Sequence, residues 1–202
     1  MNVVFYLQNS VTCPMRTICW KTSVVLKFIL VPALLSAQSP MGTVFPAMDT
    51  EALTSKQVTL PADVSGKYTL LGMAFSKKSE EELNTWMGPV YERFLQKPTG
   101  GLGQLFSSYA HDVNIYFIPM YTGVNAVAAG AAKKQAIRHL DARLHEHVLF
   151  YTGKLQPYKD SLGFDRRDTP YFFVLDEVGK IVYAASGNYS DAKMDQILEL
   201  LP

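Results

Sequence analysis

The segment from Lys67 to Lys97 constrains the fold of this chain most, because it predicts a buried strand that leads directly into a helix. Its first part, Tyr68–Phe75, is a short and uninterrupted apolar run, which is typical of a strand covered on both faces of a sheet. Ser79 is the predicted N-cap of a helix that opens at Glu80, and Pro89 predicts a kink within it. The apolar residues of this helix recur at helical spacing: Leu83, Trp86, Met87, Val90, Tyr91, Phe94 and Leu95.

Further apolar runs predict more of an α/β fold. Val113–Met120 reads as a second strand, and Val124–Glu146 as a long helical stretch that returns the chain to a parallel sheet. Two short elements are predicted after it, a strand at His147–Tyr151 and a helical turn at Pro157–Leu162.

The end of the chain predicts an antiparallel hairpin and a terminal helix. Tyr171–Asp176 and Lys180–Ala185 are two β-rich runs separated by a tight turn that contains Gly179. Ser190 is placed to cap an amphipathic helix after the second strand.

This order of elements resembles the thioredoxin superfamily. In redox members a C-x-x-C motif lies between the central strand and a helix with an internal proline; here Ser76-Lys-Lys-Ser79 stands at that place. A serine hydroxyl has a far higher pKa than a thiol and forms no mixed disulfide, so this position cannot do thiol chemistry. The resemblance implies an α/β three-layer sandwich, with a mixed central sheet and flanking helices, over residues 38–202. It also implies a cis bond before Pro170, in the loop that faces the motif.

Residues 1–37 are predicted to be an over-extended gene start, up to residue 14, followed by a secretory signal peptide. No acidic residue precedes Asp49, whereas three basic ones do, and the apolar run Phe28–Leu35 is followed by the small residues Ser36 and Ala37. We expect cleavage after Ala37 and an exported product, periplasmic or extracellular. The alternatives are a mitochondrial transit peptide and a retained membrane anchor.

Both cysteines of the chain, Cys13 and Cys19, lie before the predicted cleavage site, so the mature protein is expected to contain no thiol. This pattern favours a non-redox protein. The alternative is a thiol-dependent oxidoreductase or peroxidase, which requires an uncleaved signal and a cysteine that reaches the motif. A formal net charge of +1 gives no indication of nucleic-acid binding.

Three histidines cluster in sequence, but their spacing does not favour a metal site. His139 and His145 are six residues apart, which places them on different faces of a helix, and His147 follows its end. A solvated helix end explains them better. We predict no metal, no cofactor and no catalytic residue.

Three phrases resemble a narrower group, the mitochondrial ATP synthase assembly factors with a cysteine-poor thioredoxin-like domain. They are Trp86-x-x-Pro89, the segment from Phe150 to Gly163, and Pro170–Asp176 with the Gly179 and Ser186-Gly187 that follow. The segment Ala52–Lys67 is also similar to the N-terminal hairpin of TlpA- and peroxiredoxin-like proteins. The resemblance to the ATP synthase assembly factors implies a chaperone-type assembly protein with a polypeptide client that is associated with a membrane.

The candidate partner-binding residues are Ser76, Ser79, Trp86, Thr169 and Pro170. Redox members hold a substrate backbone beside the proline loop, and such backbone pairing needs no thiol. We therefore expect these residues to form a shallow surface for an extended polypeptide. The alternative is that Trp86 belongs to the core and that the two serines are turn and cap residues.

Overall fold

The computed structural model describes residues 39–95 and 112–202. The predicted gene start, signal peptide and cleavage site, and both cysteines, lie outside these residues. Among the described residues, no helix combines the length and the apolar character needed to cross a membrane.

The centre of the fold is a mixed sheet of seven strands in the order β2-β1-β5-β4-β3-β6-β7. The pairs β3–β4 and β4–β5 are parallel, and the other neighbours are antiparallel. The strands are β1 Met48–Ala52, β2 Gln57–Leu60, β3 Thr69–Ala74, β4 Asn114–Thr122, β5 Leu149–Gly153, β6 Tyr171–Leu175 and β7 Ile181–Ser186.

Helices cover both faces of the sheet and complete the three layers. They are α1 Lys77–Val90, α2 Ala129–His139, α3 Gln156–Leu162 and α4 Asp191–Leu200, with 3₁₀ turns at Ala62–Val64, Gly123–Ala128 and Ala142–His147. The apolar sides of α1, α2 and α4 pack into one core cluster, whereas α3 packs into a second cluster on the other face. The predicted three-layer α/β architecture is confirmed.

The predicted buried strand is β3, which lies between β4 and β6 with all six residues buried. Leu70 belongs to the core cluster under α1 and Leu71 to the opposite cluster, as strand alternation requires. A Cβ atom at Gly72 would lie 2.9 Å from side-chain atoms of both Leu83 and Phe172. The side chains of Leu83 in α1 and Phe172 in β6 therefore pack directly against the β3 backbone at Gly72.

The start of α1 differs from the sequence prediction. The helix begins at Lys77, and its N-cap is Ser76 rather than Ser79, which occupies the third helical position. Both serines are good capping residues, and the chain uses both, because each side chain bonds the backbone of the other. The helix continues through Pro89, where a kink was predicted, and passes into a π-helical turn at Tyr91–Leu95.

The predicted long crossover helix is interrupted. Only the eleven residues of α2 are α-helical, because Leu140 takes an extended conformation and Asp141 then caps the following 3₁₀ turn through the backbone N–H of Arg143. The strand predicted at His147 begins two residues later, at Leu149.

The terminal hairpin and helix form as predicted. Strands β6 and β7 pair antiparallel, and Ser190 caps α4 by accepting a hydrogen bond from the backbone N–H of Lys193. The expected cis bond before Pro170 is wrong, because Thr169–Pro170 is trans and the cis bond among the described residues is Leu60–Pro61. Trans is the lower-energy state for most X-Pro bonds, so a proline in this loop does not by itself select cis.

Candidate functional site

The candidate site lies at the carboxyl ends of the parallel strands β3, β4 and β5. We call this end of the sheet the sheet edge. Strand β6 begins at this edge and β7 ends there, since Tyr171 pairs with Ser186. Ligand crevices of α/β sheets commonly lie outside the carboxyl ends of parallel strands. Five loops therefore meet where the resemblance predicted the functional surface.

Ser76 and Ser79 bond one another reciprocally at the start of α1, each side chain to the backbone of the other, and we call this arrangement the closed pair. The Ser79 hydroxyl accepts hydrogen bonds from the backbone N–H groups of Phe75 (3.1 Å) and Ser76 (2.9 Å) and donates to the Ser76 carbonyl (2.9 Å). The Ser76 hydroxyl accepts from the Ser79 N–H at 3.1 Å. The predicted turn-and-cap role of the serines is therefore what the geometry shows.

The remaining hydrogen of this pair is donated across the edge to a residue that the sequence analysis missed. The Ser76 hydroxyl donates to the carboxylate of Asp168 at 2.9 Å, one residue before Thr169. The same loop is anchored by Tyr171, whose hydroxyl donates to Asp165 at 2.6 Å and accepts from the Arg166 N–H at 2.7 Å. The position of Asp168 next to the Thr-Pro pair was its one sequence signal.

These contacts engage both serine hydroxyls within the protein. Within the described part of the chain, neither hydroxyl bonds a histidine or a lysine that could act as a general base. Ser79 is fully buried and Ser76 nearly so. The pair holds the helix start and the Asp168 loop together.

Trp86 does not lie on the predicted binding surface. Its side chain is fully buried, its ring stacks on Phe172 at 3.8 Å between centroids, and its indole N–H donates to the Gly187 carbonyl at 3.1 Å. Pro170 is buried as well, whereas Thr169 is partly exposed. Of the five candidate residues, Thr169 is partly exposed and Ser76, Ser79, Trp86 and Pro170 are buried, so Trp86 has the core position named as the alternative. A shallow partner-binding surface at this place stays a prediction.

An open cleft lies beside the serine pair at the same edge, and we call it the edge cleft. Its volume is about 400 Å³. Phe75 and Phe164 stack at its base with ring centroids 5.2 Å apart, and both are buried. Val124 at the rim is 88% exposed. The lining is Phe75, Thr122, Gly123, Val124, Asn125, Leu155, Lys159, Phe164, Asp165 and Arg167.

A larger cleft of about 610 Å³ separates α1 from α2, and we call it the interhelix cleft. Glu80, the residue after Ser79, faces it and accepts a hydrogen bond from the Tyr121 hydroxyl at 3.5 Å. Burial raises the pKa of Glu80 above its usual range, and burial beside Glu80 raises the pKa of Tyr121 to about 12.

Two of the three histidines considered for a metal site, His145 and His147, lie close to backbone carbonyl oxygens. A ring nitrogen of His145 lies 3.1 Å from the Leu140 carbonyl oxygen, and one of His147 lies 3.0 Å from the Ile115 carbonyl oxygen. In residues 39–95 and 112–202, no three His, Cys, Asp or Glu side chains are grouped so as to hold a metal ion.

No protein-family model and no curated protein sequence matches this chain. Among solved structures it is similar to BsSco, a member of the Sco family of cytochrome c oxidase assembly proteins, with 11% identity and a TM-score of 0.50; the match covers 80% of this chain and 93% of that one. It is also similar to the 2-Cys peroxiredoxin of Plasmodium vivax (12% identity, 80% and 81% covered, TM-score 0.49). A third similar structure is the exposed lipoprotein thioredoxin Etrx1 of Streptococcus pneumoniae, with 14% identity and a TM-score of 0.45; the match covers 76% of this chain and 98% of that one.

These matches give no support to the closer resemblance to ATP synthase assembly factors. At such identities a structural likeness shows the fold alone. Together with the mixed seven-stranded sheet and its flanking helices, the BsSco match shows that the chain has a thioredoxin-like fold.

Proposed function

We propose that this protein is an exported, non-redox binding or assembly protein of the chaperone type, which holds a polypeptide partner at the sheet edge. The observation that carries the proposal is the pairing of a closed serine motif with an open apolar cleft beside it. Where redox relatives place a reactive sulfur, this chain has two hydroxyls whose hydrogen bonds are made within the protein. Next to them, the edge cleft remains accessible.

The edge cleft has the chemistry of a side-chain pocket for a peptide. Its base is aromatic, and its lining includes Val124, which is 88% exposed. Val127 lies outside the lining on the same 3₁₀ turn and is 91% exposed. Two such aliphatic side chains on one 3₁₀ turn lose contact with water when a partner covers them, which is favourable. An apolar client side chain would enter between Phe75 and Val124, with the client backbone passing Thr169.

The charged residues of the edge cleft set the polarity of the client. Lys159 and Arg167 line the cleft with one carboxylate, that of Asp165. Asp165 is engaged by the Tyr171 hydroxyl, which is the main reason that its pKa lies below the usual range. A client segment with an acidic residue next to its apolar one would therefore be favoured.

Val124→Asp tests this site without touching the core, and Val178→Asp is its matched control. Val178 is 75% exposed in the β6–β7 turn, away from the edge cleft. A photo-crosslinking residue at position 124, in the full chain expressed in cells, should trap a partner that the same residue at 178 does not trap. Val124→Asp should abolish copurification of that partner. Equal trapping at both positions would refute the edge cleft as the binding site.

The competing thiol-dependent activity is tested with the full-length chain. We expect no insulin reduction and no peroxide consumption, and no difference between the wild type and a Cys13→Ser/Cys19→Ser variant. Turnover that the double variant loses would make the protein an oxidoreductase or peroxidase.

The client identity and the compartment are the finer parts of the proposal. The closer resemblance suggests a membrane-associated client such as an ATP synthase subunit, whereas the N-terminal pattern suggests export. N-terminal sequencing of the native protein from fractionated cells separates the two. A mature N-terminus at Gln38 in a periplasmic or extracellular fraction supports export, and recovery from mitochondria or with an intact Cys19 in a membrane fraction contradicts it.

A further inference from the structure

The interhelix cleft has a floor of packed apolar side chains. Its lining also includes polar residues: Lys77, Glu80, Glu81, Asn84, Tyr121, Gln135 and His139. We call the place where Glu80 meets Tyr121 the polar corner. Leu83 of α1, Phe117 of β4 and Phe150 of β5 contribute to the floor, and Ala132 and Ala136 of α2 to the far wall. Tyr121 stacks on Phe150 with centroids 5.6 Å apart and nearly parallel rings. This stacking fixes the Tyr121 hydroxyl next to Glu80, so the polar corner is held by the sheet.

The Glu80 carboxylate has few hydrogen-bond partners among the described residues. Its hydrogen bond from Tyr121 spans 3.5 Å, at the limit of such a bond. In the described residues it forms no ion pair, since the four salt bridges found there involve other carboxylates. A half-buried carboxylate with one weak donor gains most from a cationic donor, because charge-assisted hydrogen bonds are the strong ones.

The other charged groups at this cleft do not neutralise Glu80. Glu81 adds a second carboxylate, and Lys77 and His139 also line the cleft, both on the exposed side. Tyr121 is the remaining titratable group, and it is neutral at physiological pH. The cleft therefore combines an apolar floor with unneutralised negative charge at one corner.

We propose that the interhelix cleft binds an apolar segment of a partner polypeptide that carries an arginine or lysine, with the cationic group at Glu80 beside the Tyr121 hydroxyl. Charge complementarity selects the cation, and the apolar floor selects the residues around it. The volume of about 610 Å³ has room for several side chains, more than a lone cation fills. This site is separate from the edge cleft and does not rest on the proposed function there.

Three synthetic peptides test the site with the full-length protein. They share a short leucine- and alanine-rich sequence flanked by serines, and differ only at a central arginine, citrulline or glutamate. Citrulline has nearly the shape of arginine without its charge. We expect the arginine peptide to bind about tenfold more tightly than the citrulline peptide, and the glutamate peptide to bind most weakly. Backbone amide shifts should change at Ala132 and Ala136.

Glu80→Gln should remove the preference for arginine, while Glu82→Gln, a carboxylate on the same helix outside the lining, should keep it. Thermal melts check that both variants fold. Equal binding of the arginine and citrulline peptides, an unchanged preference in Glu80→Gln, or amide shifts at Asn125 rather than α2 would each overturn the proposal. Butylguanidinium that displaces the peptide at equal affinity would show a small-cation site and overturn the polypeptide assignment.

Discussion

Two neighbouring regions at the start of α1 differ in how completely their polar side chains are hydrogen-bonded. The hydroxyls of Ser76 and Ser79 are closed by one another, by the backbone and by Asp168. One residue further on, the Glu80 side chain lines a cleft and has, within residues 39–95 and 112–202, one long hydrogen bond, from Tyr121. The turn at which we predicted the counterpart of a C-x-x-C motif is thus a fully hydrogen-bonded serine pair in this chain, and two clefts lie beside it.

The candidate residues also divide into buried ones, which support the clefts from below, and accessible ones, which line the clefts. Ser79, Trp86 and Pro170 lie below the surface, whereas Val124 and Glu80 are open to a ligand. Substitutions in the first group are expected to change stability strongly, and substitutions in the second to act mainly on binding, with a small effect on stability at Glu80.

The largest expected effect follows Trp86→Ala. Removal of a fully buried indole leaves a cavity against Phe172 and an unpaired Gly187 carbonyl, so the free energy of unfolding should fall by about 3–5 kcal/mol. Urea denaturation measures the loss. A loss under about 1 kcal/mol, together with weaker client binding, would return Trp86 to the binding surface.

Gly72→Ala tests how closely α1 is held on β3. The new methyl group would lie 2.9 Å from Leu83 and Phe172, and such overpacking costs about 1–3 kcal/mol. Gly130→Ala is the control, because nothing lies within 4 Å of a Cβ there and alanine favours the helix by about 0.5–1 kcal/mol. If both substitutions stabilise the protein in thermal melts, the close approach is not real.

Ser79→Ala should break the closed pair without affecting the interhelix cleft. The buried hydroxyl serves two N–H donors, which would lose their partner at a cost of about 1–2 kcal/mol. Ser161→Ala, at an exposed serine that bonds one backbone carbonyl, should change stability by less than about 0.5 kcal/mol. Chemical denaturation measures the free energy of unfolding of both variants. Equal losses would show that the hydrogen bonds of the closed pair stabilise the protein no more than an exposed serine does.

The smallest expected effect is a pH dependence at Glu80. Its folded pKa lies above the usual 4.5, so the folded state holds this proton more tightly than the unfolded state. That contribution is present in full below pH 4.5 and is lost as the pH rises through the folded pKa. Glu80→Gln should therefore be more stable than wild type near neutral pH, by an amount that shrinks towards pH 4.5. Thermal melts of this variant and of Glu82→Gln test it; a gap that widens at low pH would contradict the direction.

Local sequence patterns determined the architecture of this protein. The apolar run at Tyr68–Phe75, the paired β-rich runs after Pro170 and the serine before the last helix are short-range signals, and each produced the expected element. The points at which helices are interrupted were less predictable. The end of α2 at His139 depends on the extended backbone of Leu140, which no proline or glycine announces.

Only the tertiary structure decided which candidate residues are accessible and which partners they have. Helical spacing placed Trp86 on the apolar stripe of α1, but burial followed from Phe172 and from Gly187, which is 101 residues away in sequence. Likewise, Ser76 is closed by Asp168 across 92 residues, and the Glu80–Tyr121 corner joins a helix to a strand 41 residues later. Periodicity reports which side of an element is apolar, whereas the group that covers that side comes from another part of the chain, and folding brings the two together.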